Sequence, residues 1–484
     1  MQSRRRNLVL PVVAALLLLT VAAVLGRGDA RFLLIAAYFA VTLCQTFAKA
    51  GDIVDSPLLL FEAIMFLNFA VPSLVYFAVP EFTSLGFRAE YFAPDPTADT
   101  LLYAGLLGIL QSLALHLTLA AIEANRPATD SAAASAAAAE PARGNRSVAL
   151  WRLPAVLALG VSGLLTLILL RVSNWSFMEL IYGIQSSRVE RATEARYFMY
   201  LYQFGFGILL YWLVVHGRQL RGWVILFVIG AFCSGAFWLG GRTLIAWFVL
   251  GALIAMHMIG RFRLSPTRVL VVGTAIMVLM ALYVLVFREY FSINAGRAGG
   301  RLVRDLSLFE RYIEAMNDFM PTLAMIRGVL PSRFDFFLGQ TIVDQYVIFL
   351  PSALVTWDVM NTSEAINLLL FQRDVAHGFT PTLIGEFYIN FGAIGVLISG
   401  AGLAMLTTLV MRFRRLRRDD ELSVAVYCVF VSGMFYLLKA GLSGQIRFVL
   451  IGIGIAMAHV AYGRLRAAAA QQLAAPALPA VGGR

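Results

Sequence analysis

Apolar residues run along this chain in long blocks separated by short polar breaks. A helix needs about 20 apolar residues to cross a bilayer. Twelve blocks approach that length: 8–25, 31–49, 57–79, 100–122, 149–170, 197–215, 222–239, 243–259, 268–287, 383–411, 422–438 and 446–463. The pattern predicts an all-α, polytopic integral membrane protein with about 12 transmembrane helices, because a backbone in lipid must satisfy its own hydrogen bonds. Arg4, Arg5 and Arg6 precede the first block, as in a signal peptide or a twin-arginine signal. The eleven blocks that follow favour an uncleaved first helix.

The blocks divide the chain into four parts. Residues 1–287 carry the first nine helices and a linker at 124–148, rich in alanine and serine and expected to be mobile. Residues 288–380 form a long loop, 381–466 the last three helices, and 467–484 a disordered tail. A loop as long as 288–380 is more than a connection. Within it Leu302, Leu306, Phe309, Ile313, Met316 and Met320 step by four and three, which makes one apolar stripe. Arg301, Arg304 and Arg311 fall on the opposite face. The expected element is an amphipathic helix lying on the membrane surface. Asp305, Glu310, Glu314 and Asp318 flank those arginines, so a plain solvated face remains the alternative.

Composition agrees with the pattern. Apolar residues make up 60% and charged residues 14%, against about 45–50% and 25% in a soluble domain. Cys44, Cys233 and Cys428 lie inside apolar blocks and read as free packing residues. The net charge of +11 is carried almost wholly by arginine, the lysines being Lys49 and Lys439. In a membrane protein this charge points to basic cytoplasmic loops rather than to nucleic acid. With both termini cytoplasmic, the inner segments hold 21 of the 39 basic residues. Of the rest, eight lie in the long loop, which is too long for the rule to count. The loops at 80–99, 172–196 and 288–380 then face outward, and candidate chemistry is expected there.

Gly240-Gly241-Arg242 interrupts one apolar run and puts Arg242 at the outer rim, where an ionisable group is a functional candidate or a snorkelling turn residue. Thr380-Pro381-Thr382 reads as the start of a helix that re-enters the membrane, with Glu386 and Asn390 one turn apart on one face. Glu386 could serve as a general base or lock a buried arginine. Gly385, Gly392 and Gly395 would permit close helix contact. Arg447 opens another helix at the outer rim, as a site residue or an interfacial anchor. Glu62 and His116 fall inside spans and read as an interhelical contact. There is no phosphate-binding P-loop, dinucleotide fingerprint, G-x-S-x-G elbow, outer D-x-D pair or cysteine–histidine metal spacing. No metal or cofactor is expected, so arginine would have to neutralise any phosphate.

The run Thr380-Pro381-Thr382 followed by Gly385-Glu386-Phe387-Tyr388-Ile389-Asn390-Phe391-Gly392-Ala393-Ile394-Gly395 resembles the closing phrase of the outer loop in the O-antigen polymerase family. Gly241-Arg242-Thr243 and the stretch from Pro331 to Gly339 resemble two further elements of that family. A mid-loop proline–arginine of the family is missing from Phe349–Asp358, where Arg327, Arg333 or Arg373 would have to substitute. The resemblance implies a lipid-phosphosugar-dependent (C-type) glycosyltransferase in the bacterial inner membrane, with its site facing the periplasm. It would polymerise undecaprenyl-diphosphate-linked oligosaccharide repeat units, with membrane lipid and a chain-length regulator protein as partners. Glu386 and Arg242 would be catalytic, and Tyr388, Asn390 and Thr382 would contact substrate. Arg288, Arg304, Arg311 and Arg447 join them only by their expected outer position. A ligase that moves the finished glycan to lipid A core, and a non-enzymatic transporter of lipid-linked glycan, are the alternatives.

Overall fold

A computed structural model of the chain describes residues 29–49, 56–78, 97–125, 196–238, 242–261, 319–347, 359–360, 362–371, 382–417 and 420–474. All regular structure among them is helical. In chain order the helices are α1 (Arg31–Lys49), α2 (Pro57–Ala78), α3 (Ala98–Ala124), α4 (Arg196–His216), α5 (Gly222–Trp238) and α6 (Arg242–Met258). There follow α7 (Phe319–Val329), α8 (Gln340–Val347), α9 (Thr362–Phe371), α10 (Leu383–Leu416), α11 (Glu421–Ala440) and α12 (Gln445–Ala474). Five of the described helices, α1, α2, α3, α10 and α12, are long and apolar enough to cross a membrane by length and composition. Leu34, Leu117, Leu409 and Val460 stand exposed on them, as lipid-facing residues do. The described residues are thus all-helical in their regular structure and suited to a membrane.

Helices α1–α6 and α11 fall on expected blocks with ends within two residues, while α10 and α12 run on past 411 and 463. The blocks at 8–25, 149–170 and 268–287 lie outside the described residues, as does nearly all of the linker at 124–148. The tail expectation is corrected in part: helix α12 continues to Ala474, so residues 467–474 are helical.

Packing follows small residues and polar pairs. Gly207 of α4 and Gly454 of α12 approach each other closely enough that a side chain on either would strike the facing backbone. Helix α3 lies along α10, where Gly400 meets the Gln111 carbonyl and the Gln111 amide donates to Ser399 Oγ at 2.9 Å. A wide π turn at Phe66–Ala70 interrupts α2 one turn before Pro72, whose ring and missing N–H would disturb a regular ladder there. Glu62 of α2 is fully buried and meets His116 Nε2 at 2.7 Å, while Thr42 donates to its other oxygen at 2.8 Å. The expected interhelical contact is therefore present.

The largest departure lies in the long loop. Residues 301–318 are outside the described residues, but Phe319 and Met320 open α7, and Met320 is fully buried. Helix α7 buries Phe319, Leu323, Met325, Ile326 and Val329 against α3, α9, α10 and the π turn. An apolar stripe ending at Met320 was expected on the membrane surface. Its last residue instead enters the protein core, because α7 is apolar on nearly every face and has to be covered all round.

Candidate functional site

Glu386 sits one turn inside α10 and is inaccessible to solvent. The helix starts where Thr382 Oγ1 accepts the Gly385 N–H at 2.9 Å, a side-chain cap. Three donors converge on the carboxylate. Thr362 Oγ1 of α9 donates to Oε1 at 2.7 Å, and Gln345 Nε2 of α8 donates to the same oxygen. The Leu442 N–H, in the turn Gly441–Gly444, donates to Oε2. A buried carboxylate is tolerable when its lone pairs are filled in this way. All three donors are neutral, so among the described residues the lock is not the arginine pairing considered above.

Asn390 lies one turn further and is equally buried. Its Nδ2 donates to Thr341 Oγ1 of α8 and to the Glu386 carbonyl, both at 2.8 Å. Its Oδ1 accepts the Gly339 N–H at 2.9 Å. Two i,i+4 pairs thus face each other in antiparallel register: Thr341 and Gln345 on α8, Asn390 and Glu386 on α10. The amide of Asn390 is fully engaged within the protein. Tyr388 packs between Tyr103 and Phe336, with ring centroids at 6.2 and 6.0 Å, and Arg327 lies 5.0 Å over the Tyr103 ring.

Helix α10 breaks at Gly392, whose φ of 62° and ψ of −149° belong to a region only glycine occupies readily. The break frees the carbonyls of Ile389 and Asn390, which accept the N–H groups of Phe337 and Leu338 at 3.0 Å each. Gly392 was expected to serve helix contact. Its actual work is this break, and the Phe336 ring fills the space a side chain would need. Beside the break lies an open groove of about 670 Å3, lined by Phe337, Leu338, Val343, Asp344 and Phe391 among others. Tyr346, further along α8, is half exposed. Burial and the Glu386 charge push its phenol up, so it is a neutral group at physiological pH.

Arg447 stands on the far side of the Gly441–Gly444 turn. Its guanidinium lies 4.8 Å over the Tyr436 ring, and Tyr436 stacks on Trp247 of α6 with centroids 5.1 Å apart. The indole Nε1 donates to the Val429 carbonyl at 3.1 Å. Arg242 opens the helix that carries Trp247, so the start of α6 belongs to the same end of the bundle as Glu386 and Arg447.

Of the sequence candidates, the fold therefore gathers Thr382, Glu386, Tyr388, Asn390 and Arg447 at one end, with Arg242 at the head of α6. Arg288, Arg304 and Arg311, together with Thr380, Pro381 and Arg373, lie outside the described residues. Sequence reading missed Thr341, Gln345, Thr362 and Gly441. The signal for the first two was their i,i+4 spacing just after Gly339. Among the described residues no cluster of histidine, cysteine and carboxylate side chains could hold a metal.

Comparison with protein families, characterised proteins and solved structures finds no match to this chain. Fold and site define a class, a helical membrane protein with a polar site at one end of its bundle.

Proposed function

We propose that this chain joins lipid-linked oligosaccharide units, transferring a growing glycan from undecaprenyl diphosphate to a new lipid-linked unit at the outer face of a bacterial inner membrane. The carrying observation is a buried carboxylate, Glu386, braced from α8, α9 and the Gly441–Gly444 turn at the end of the bundle that also holds Arg447. It coincides with the phrase Gly385–Gly395, on which the family resemblance rests.

In such a transfer an acceptor hydroxyl oxygen bonds to the anomeric carbon of the donor. The carbon–oxygen bond to the lipid diphosphate breaks, and the diphosphate leaves with the electron pair. The hydroxyl proton is lost to a base, for which Glu386 is the candidate. Fixed arginines offset the charge that develops on the leaving diphosphate. Arg447 and Arg242 fill that part, joined by Arg288, Arg304 and Arg311 of the long loop. Tyr388, Asn390 and Thr382 keep the acceptor side in shape.

The test is glycan length on a polysaccharide-resolving gel, in cells lacking the gene and complemented with wild type, Arg242→Ala, Arg447→Ala or Glu386→Gln. The expected result is a single repeat unit on the acceptor, lengthened by wild type and by none of the variants, all expressed at equal level. Full-length polymer stranded on the lipid carrier would identify a ligase instead, and units trapped on the cytoplasmic face a transporter. Normal polymer length from Glu386→Gln would remove proton transfer from the role of Glu386.

A further inference from the structure

Four of the five polar side chains at the heart of the site are sealed. Thr341, Thr362, Glu386 and Asn390 have no accessible surface, whereas Gln345 retains 6%. Gln345 is also the one with unused capacity. Its Nε2 donates to Glu386 and to Thr362, but its Oε1 has no hydrogen-bond partner among the described residues. A buried acceptor left empty costs on the order of 1–3 kcal/mol. The neighbours of Gln345 on α8, Val343 and Tyr346, are half exposed, and Val343 and Asp344 line the groove beside Gly392.

As placed, the amide uses both of its N–H groups, on Glu386 and on Thr362. Flipped, it would aim its oxygen at the Glu386 carboxylate and lose both donated bonds. Glu386 and Thr362 therefore fix the orientation of the amide, and with it the direction of the vacant acceptor. A group that fills it must be a donor and must be tolerable beside a carboxylate. A neutral saccharide hydroxyl meets both conditions.

We propose that Gln345 is an acceptor-sugar-binding residue, whose Oε1 takes a hydrogen bond from a saccharide hydroxyl adjacent to the reacting one, while Glu386 and Thr362 hold its amide in place. This rests on the glycan-transfer reading above and adds to it the residue that reads the acceptor. Its oxygen bears on the hold on the acceptor, and its nitrogen, through Glu386, on the transfer step.

The test uses the purified full chain in lipid nanodiscs. The substrate is the lipid-diphosphate oligosaccharide extracted from cells in which the gene is deleted, and KM and kcat for its elongation are measured. Gln345→Met, which removes the amide at similar length, is expected to raise KM about three- to ten-fold, the range for one neutral hydrogen bond, on top of the fall in kcat that follows from the lost donor to Glu386. Gln345→Glu, which keeps acceptor oxygens at the same length, is expected to hold KM within two-fold of wild type even where kcat falls. A fall in kcat at unchanged KM for Gln345→Met would overturn the proposal and leave Gln345 a brace for Glu386. Should Gln345→Met not elute as a single species, a KM raised by Gln345→Glu as well would overturn it. No turnover of the extract by wild type would instead reject the glycan-transfer reading itself, and the proposal with it.

Discussion

At the scale of single residues, Gly441 shows how tightly the site is drawn. Its φ of 63° and ψ of −153° lie in a region open essentially to glycine alone. A methyl group at this position would also overlap Glu386 Oε2. Two independent constraints thus meet at one atom. Gly441→Ala is expected to cost about 1–3 kcal/mol in stability from backbone strain alone, read as a lowered melting temperature of the purified protein. Gly441→Asn should be no milder, because asparagine eases the left-handed helical region and not this one. An asparagine variant as stable as wild type would show that the turn relaxes into another conformation. None of this was legible in the sequence, where Gly441 is one glycine among 40. Glu386 and Asn390 were legible, because two polar side chains one turn apart inside an apolar block need a reason. Their partners were not: Thr341, Gln345 and Thr362 are neutral residues, and only the fold brings them to the carboxylate.

At the scale of elements, the break in α10 couples two parts of the chain. An unbroken helix would spend the carbonyls of Ile389 and Asn390 on the N–H groups of residues 393 and 394. With Gly392 turned out of the helix, those carbonyls take Phe337 and Leu338, and so fix the approach to α8. Gly395 fits the same scheme, since a side chain there would strike the Phe387 carbonyl of the first segment. Gly392→Ala is therefore expected to act at a distance along the chain. Amide hydrogen exchange of a peptide covering residues 336–341 should speed up more than tenfold, a factor that corresponds to about 1.4 kcal/mol of lost protection. Peptides from α4 and α12, which pack on each other far from the break, should be unchanged. Equal loss everywhere would mean that the break matters to global stability rather than to the α8 attachment. The sequence announced the start of α10 through Thr382, and its length through the apolar block. The break stayed hidden, because glycine in a membrane helix serves close packing as often as bending, and Gly400 of the same helix does pack against α3.

At the scale of the molecule, the described arginines sort toward the two ends of the bundle. Arg218, Arg221 and Arg261 cluster where α4, α5 and α6 end or begin, and Arg261 Nη1 reaches the Gly217 carbonyl at 2.5 Å. Met258 of α6 meets Cys428 in the first half of α11, and Ser423 at the head of α11 bonds to Arg414 and to the Arg417 carbonyl, which sets both arginines toward that same end. Glu386, Gly339, Arg447 and the head of α6 mark the other. The apolar blocks made the membrane character legible, since a fold that is 60% apolar needs lipid around it. They could not reveal that α7 belongs to the core, because an apolar run of eleven residues reads equally as a buried helix or a surface one. The charge rule assigns the arginine-rich end to the cytoplasm and the Glu386 end to the outside. That assignment is testable in a variant with Cys44, Cys233 and Cys428 replaced by alanine. A cysteine at Ser332, exposed after α7, should react with a membrane-impermeant maleimide in intact cells. A cysteine at Leu416, exposed at the other end, should react only after the membrane is permeabilised. The opposite pattern would turn the protein over, place the carboxylate site in the cytoplasm, and exclude a lipid-linked acceptor delivered from the outer face.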